Sequence, residues 1–353
     1  MKVFFPHTVN AIGLAADFMS VLVLTLISLQ VRAESRLFSI KGDFESTASV
    51  IVPVRGIDPE LEENLRSLLS QDYPYGYEAI FVVDQDDVET ANFLKGKGFN
   101  TVLADFECST CSGKVKAQLS GLKHAKGEVV VFADSDTRFR RDWLREMVRP
   151  LSHYTASTTF SWPSPLKLSL QNLIRAGFWT LGFESQAIGG TFLWGGSMAF
   201  RREFLTEDVV RELANNWCDD CTLTRLVKQR GGSIAFNLRA MPLNVYDERS
   251  LCRWMTRQVI TIWRHSPRGA KAFIVVITSI LGILILGVIS HSLFPLLIPL
   301  AWIAKNFLRS REMGTLSILP SLLSIVGAIA GYVTLISSRN KRVIQWRDKV
   351  YLT

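Results

Sequence analysis

The chain has 353 residues, 48% hydrophobic and 20% charged, with 40 Lys and Arg against 32 Asp and Glu. That composition excludes a disordered chain and is apolar for a wholly soluble one. The net charge of +8, with hydrophobic ends, points to a bilayer surface and phosphate-bearing substrates in place of nucleic acid.

Ala11–Val31 is an apolar run carrying one charge, Asp17. At 1.5 Å per residue it crosses a ~30 Å hydrocarbon core. Gln30, Val31 and Arg32 do not form a small-residue cleavage site, so residues 1–33 are expected to be an uncleaved membrane anchor. Asp17 is costly in lipid and must either meet another helix or snorkel outward. Arg32, Arg36 and Lys41 follow the run, which by the positive-inside bias puts the next domain in the cytosol.

Residues 34–248 alternate between strand and helix patterns. Residues 48–54, 79–83 and 129–133 are short apolar, β-branched runs, the pattern of buried strands. Between them, Asp58-Pro59-Glu60 predicts a capped helix start followed by Leu61, Leu65, Leu68 and Leu69 on one face. Helices are also expected over 88–95, 114–125 and 142–148. The alternation implies βαβ units and a parallel sheet, so ligands should bind beyond the carboxyl ends of the strands. Asp84, Asp134 and Asp136 all fall at that edge.

Asp134 and Asp136 are two carboxylates at i and i+2 just past a buried strand. They repel unless a cation lies between them, and their oxygen donors suit Mg²⁺ or Mn²⁺. Asp219 and Asp220 open a helix expected over 222–229 and ended by Gly231-Gly232. They read either as dipole-favoured caps or as a general base in a partly buried cleft, where a carboxylate pKa rises toward the working pH.

The five cysteines include two C-x2-C pairs, Cys108/Cys111 and Cys218/Cys221, with Cys252 left over. The odd count suits reduced thiols. A zinc site shared by two pairs so distant in sequence is the minor reading beside small buried thiols.

Residues 249–271 are dense in Arg and Trp and read as an interfacial helix on anionic lipid or as Arg groups for phosphate. Residues 272–338 hold two good membrane-span candidates, Phe273–Ser290 and Thr315–Ser337, around a short run broken by Pro295 and Pro299. Basic residues crowd both 305–311 and the tail 339–353. These two basic loops cannot share one side of a membrane if a single simple span separates them, so a re-entrant or kinked segment is one resolution.

Together these pieces resemble the family 2 glycosyltransferases with the α/β GT-A nucleotide-sugar fold, in particular the membrane-bound ceramide glucosyltransferase-like branch. The resemblance rests on Val82-Val83-Asp84-Gln85-Asp86-Asp87, Ala133-Asp134-Ser135-Asp136, Asp219-Asp220 before Leu223, and Arg253-Trp254. Trp194-Gly195-Gly196-Ser197-Met198-Ala199-Phe200-Arg201-Arg202 resembles the acceptor-side segment, and Trp346-Arg347 before Tyr351 resembles the branch's ending. Two positions depart from the pattern: Ser250 stands where the family has Gln, and the third acidic motif reads Asp-Asp.

The resemblance implies an inverting, metal-dependent hexosyltransferase that moves a sugar from a nucleotide diphosphate, a UDP-sugar above all, to a membrane lipid. Val52, Pro53 and Arg55 would line the nucleoside pocket with Asp84, and Lys114 would lie near the base or phosphates. Asp134 and Asp136 would reach the metal, Asp134 also facing the donor, and Asp220 would be the base. Arg253 and Trp254 would steady the diphosphate. Trp194, Gly196, Ser197 and Asp219 would lie on the acceptor side, and 163–183 would guide the lipid along the interface. The alternatives are a processive polysaccharide synthase and a non-catalytic membrane scaffold of the same fold.

Overall fold

The computed structural model describes residues 5–187, 192–346 and 349–352. The chain forms two compact units: Arg36–Leu166 with Gly189–Asp247, and Met1–Ser35 with Lys167–Ile188 and Glu248–Thr353. Lys167–Ile188, expected inside a catalytic domain spanning 34–248, therefore belongs with the helices. The reason is packing: its apolar side is covered by a C-terminal helix, as described below.

Helix α1 (Phe5–Ser35) belongs to the helical unit. The α/β unit starts with β1 (Ala48–Val54), α2 (Leu61–Leu69), β2 (Tyr77–Val83), α3 (Val88–Gly96), β3 (Thr101–Leu103), α4 (Gly113–His124) and β4 (Val129–Ala133). Then come β5 (Thr137–Arg138), α5 (Trp143–Val148), β6 (Ala156–Thr158) and β7 (Trp162–Pro165). After α6 (Leu170–Trp179) and α7 (Gly182–Ala187) of the helical unit, the α/β unit ends with β8 (Ser197–Arg201), α8 (Glu207–Ala214), α9 (Asp219–Gln229), β9 (Ile234–Phe236) and β10 (Leu243–Tyr246).

The main sheet has the order β3-β2-β1-β4-β8-β6-β9. Strands β1 to β4 are parallel, and β8 runs antiparallel to both β4 and β6. Side chains alternate across β1. Val50, Val52 and Val54 pack with Leu61, Leu65 and Leu68 of α2 and Trp143 of α5, while Ile51 packs on the other face with Val115 and Leu119 of α4. Burial on both faces is why these strands read as unbroken apolar runs. A smaller sheet, β5-β10-β7, lies apart from it in the strand pairing.

One helix start differs from expectation. The N-cap of α2 is Glu60, at a left-handed φ of 64° and with no side-chain cap bond, while the Asp58 carbonyl accepts the Leu61 N–H at 3.1 Å. Asp58-Pro59-Glu60 is a turn before the helix, and Glu60 is drawn to Arg138 at 2.8 Å.

The helical unit continues with α10 (Leu251–His265), α11 (Pro267–Ser290), α12 (Leu297–Arg309) and α13 (Ile318–Ser337), then β11 (Val343–Trp346) paired with β12 (Lys349–Leu352). Among the described residues, three stretches are long and apolar enough to cross a membrane: Ala11–Phe38, Pro267–Ser290 and Arg311–Ser337. Helices α6 and α13 meet at Gly177 and Gly327, where a Cβ on either would strike the backbone of the other. Asp17 meets another segment: its carboxylate accepts the Ser292 hydroxyl at 2.6 Å.

Lys305 and Arg309, which crowd the first basic loop, are 1% and 2% exposed. Lys305 pairs with Glu184 at 2.7 Å, and Arg309 pairs with Glu34 at 2.6 Å and Glu184 at 3.1 Å. Two of that loop's charges are thus neutralised inside the protein, which removes most of the conflict with a basic tail. Of the tail motif, Arg347 lies outside the described residues.

Candidate active site

The acidic residues gather where the parallel strands end. Asp84 follows β2 and Asp134 follows β4, with β1 between them in the sheet. Strand β8 returns antiparallel with Ser197 opposite Ala133, which brings the Gly195-Gly196 turn beside Asp134. The Asp134 N–H donates to the Gly196 carbonyl at 3.4 Å. Asp136 is fixed through its own carbonyl, which accepts the Val245 N–H of β10 at 3.0 Å. Asp219 and Asp220 form the first turn of α9, where the helix dipole favours negative charge.

Lys114 is the centre of the cluster. Its Nζ lies 2.7 Å from Asp134 and 3.2 Å from Asp219, and donates to the Gly195 carbonyl at 3.2 Å. A Cβ at Gly195 would sit 2.7 Å from Lys114 Nζ and 3.0 Å from Asp219 Oδ2, so only glycine lets the backbone come this close. Gln118, one turn along α4, donates to Asp219 at 2.7 Å from a fully buried position. Asp220 Oδ2 accepts the Gly195 N–H at 3.0 Å and Oδ1 the Cys221 N–H at 2.8 Å.

These contacts divide the acids electrostatically. Burial opposes charge on Asp219, yet Lys114 and Gln118 outweigh it and hold the carboxyl below its usual range. Burial pushes Asp134 up, and Asp136 adds to the rise against the pull of Lys114. Burial and then the neighbouring Asp219 charge raise Asp220 to about 7. Burial alone would lower Lys114, but Asp134, Asp219 and Asp220 keep it a firmly held cation, above its usual value. Pairs of carboxyls driven apart in this way mark acid–base sites.

One ammonium faces three carboxylates, Asp134, Asp219 and Asp220, and Asp136 adds its charge beside Asp134. That excess of hard oxygen donors, with Asp134 raised in spite of a lysine in contact, fits a divalent cation such as Mg²⁺ or Mn²⁺.

Farther along the rim, Arg55 leaves the end of β1 and pairs with Asp84, and with Asp86 at 3.1 Å. The parallel register Val54↔Val83 places the two residues side by side. Asp87 caps α3 through Thr90 N–H at 3.2 Å and accepts the Gly56 N–H at 2.7 Å. Pro53, opposite Val82, is half-buried on the same strand. Beyond this, Gln85, the segment Asp105–Ser109, Lys116, Ala214 and Asn215 line an open cavity of about 710 Å³.

Of the expected acceptor-side residues, Trp194 packs against Phe160 at 5.3 Å and lies under Gly196, where a Cβ would strike its indole. Ser197 needs correction. It is fully buried; its hydroxyl accepts the Trp143 indole N–H at 3.2 Å and its carbonyl accepts the Thr158 hydroxyl at 2.7 Å. It holds β8 in place and offers no surface to a substrate. Sequence reasoning missed Gln118 and Gly195. Gln118 was findable, because it is at i+4 from Lys114 on one helix.

The cysteine reading is also corrected. Cys108 joins Cys111 and Cys218 joins Cys221 as disulfides, with Cα atoms 5.8 and 5.5 Å apart, inside the bridging range. Sulfurs bonded to each other are not thiolates for zinc. The second disulfide brackets Asp219 and Asp220. Only Cys252 is free, and it is exposed.

Arg253 and Trp254 lie on α10 of the helical unit. Arg253 is exposed. Trp254 packs with Phe178 and Trp179 at 5.4 and 5.3 Å, under the Arg175 guanidinium at 4.4 Å.

The sequence model of glycosyl transferase family 21 matches residues 9–352. Mannosyltransferase PcManGT from Pyrobaculum calidifontis, solved with GDP-Man and Mn²⁺, is similar at 20% identity and a TM-score of 0.51, over 94% of this chain and 97% of that one. Glucosyl-3-phosphoglycerate synthase from Mycobacterium tuberculosis, solved with Mn²⁺, UDP and phosphoglyceric acid, aligns at 17% identity and a TM-score of 0.41 over 66% and 82% of the two chains. No curated protein matches the sequence. The match over nearly the whole length places the chain in glycosyl transferase family 21, and the fold is the GT-A arrangement read from the sequence.

Proposed function

We propose that this family 21 glycosyltransferase moves a sugar, with inversion, from a nucleotide diphosphate to the hydroxyl of a membrane lipid. The observation that carries the reading is the cluster of Asp134, Asp219 and Asp220 around Lys114, in which burial and the Asp219 charge raise Asp220 to about 7. Among the described residues, three helices long and apolar enough to cross a membrane support a lipid acceptor. The Arg32, Arg36 and Lys41 side of α1 supports a cytosolic catalytic unit.

In this reading Arg55 and Asp84 hold the nucleoside end of the donor, at the rim where α/β sheets bind ligands. Asp134 and Asp136 would hold Mg²⁺ or Mn²⁺, which would supply positive charge against the diphosphate. Lys114 favours charge on Asp134 and Asp219 and orients both. Asp220 takes the proton of the acceptor hydroxyl. Its raised pKa makes it a stronger base than an ordinary carboxylate, and above pH 7 it is mostly free to accept. As the proton leaves, the acceptor oxygen bonds to the sugar carbon and the bond to the diphosphate breaks on the opposite face. One base with no second nucleophile gives one displacement and hence inversion.

A donor screen tests this. The full chain in membranes, with native lipid extract and Mn²⁺, is offered single nucleotide sugars and the lipids are analysed by mass spectrometry. One hexose added to a lipid supports the reading. A ladder of additions indicates a polymer synthase. No lipid product from any donor, with the protein folded, overturns it.

A further inference from the structure

We propose that the end of the α11–α13 pair carries a headgroup clamp that retains anionic phospholipid, formed by Arg264, Arg268 and Lys271 on one side and Arg339 and Lys341 on the other. The inference rests on the reading that α11 and α13 lie in a bilayer, and goes beyond it in naming the lipid class.

Packing brings the two groups of residues together. Ala270 at the start of α11 and Leu335 at the end of α13 share one buried cluster with Met255 and Val259 of α10. The Trp263 indole N–H donates to the Leu335 carbonyl at 2.9 Å. After α13 the chain turns tightly, Lys341 N–H bonding the Ser338 carbonyl at 3.1 Å, and β11 packs back on α10. Arg339 and Lys341 are therefore held between two contacts to α10, beside the helix that carries Arg264.

Arg264, Arg268, Lys271, Arg339 and Lys341 are all exposed. Between Arg249 and Trp346 the sequence has a single carboxylate, Glu312, so no acid on these elements balances the five cations. The contrast with Lys305 and Arg309, buried against Glu184 and Glu34, is direct. Half-buried Trp263 stands among the cations as an interfacial aromatic. Clustered Lys and Arg at the end of a membrane helix recognise anionic headgroups through phosphate.

The test uses the full chain in nanodiscs of phosphatidylcholine doped with phosphatidylglycerol, with the lipids retained after mild detergent stripping counted by native mass spectrometry. The wild type should retain phosphatidylglycerol in preference to phosphatidylcholine. The triple variant Arg264→Gln, Arg268→Gln, Lys271→Gln should lose that preference about tenfold. The all-lysine counterpart Arg264→Lys, Arg268→Lys should keep most of it, which separates lost charge from lost folding. Equal retention of both lipids by the wild type overturns the clamp alone. Release of the protein from membranes by alkaline carbonate overturns the membrane reading and the clamp with it.

Discussion

Lys114 Nζ lies 2.7 Å from an Asp134 oxygen, although burial and Asp136 both push that carboxyl toward its neutral form. The ammonium holds open a site with more negative charge than it can balance. Replacing it with methionine leaves Asp134, Asp219 and Asp220 with no cation. Lys114→Met should lower stability by about 3 kcal/mol, the cost of breaking a buried pair, and added Mn²⁺ should restore more stability to the variant than to the wild type. Thermal melts with and without Mn²⁺ check both statements.

Asp134→Asn and Asp136→Asn should each weaken Mn²⁺ binding at least about tenfold, read by electron paramagnetic resonance in the presence of nucleotide. Chelation should stop transfer, and either Mn²⁺ or Mg²⁺ should restore it.

Asp220 gives a pH signature. Its folded pKa of about 7 exceeds the unfolded value near 3.9, so the folded state binds the extra proton between those limits. Stability contributed by that proton is full at low pH and is lost as pH rises through 7. Relative to the wild type, Asp220→Asn should therefore gain stability between pH 5 and pH 8, whatever its fixed offset. The wild-type rate of transfer should rise over the same interval. Parallel melts and a pH–rate profile check the pair.

In the helical unit, Arg309 binds Glu34 and Glu184 from a position 2% exposed. Arg309→Met leaves Glu34 without its cation, while Glu184 keeps Lys305 at 2.7 Å, and should cost about 3–5 kcal/mol. In a Glu34→Leu background the same change should cost about 1–3 kcal/mol less. Thermal inactivation in detergent, run as a double-mutant cycle, reads the coupling.

The parallel core was legible because strands buried on both faces are written as continuous apolar runs, such as Val129–Ala133. The small sheet was not: β5 has two residues and β7 carries Pro163 and Pro165, so neither has a strand's signature. The acids were legible as motifs, but their division of labour was not. It depends on Lys114, Gln118 and the Gly195 backbone, which meet Asp219 and Asp220 only through tertiary folding. Lys305 and Arg309 read as a solvated basic loop because Glu34 lies 275 residues from Arg309 in sequence. Ser197 read as lying on the acceptor side, and its burial was not legible because a motif does not report which way an alternating strand points its side chains.

The account turns on Asp220 taking the acceptor's proton. The most direct measurement compares wild type and Asp220→Asn in membranes for Mn²⁺-dependent nucleotide-sugar binding and for sugar transfer to lipid. The account predicts that the variant binds donor nearly as tightly as wild type and transfers at least about a hundredfold more slowly. Transfer at close to the wild-type rate by a folded Asp220→Asn protein would contradict it.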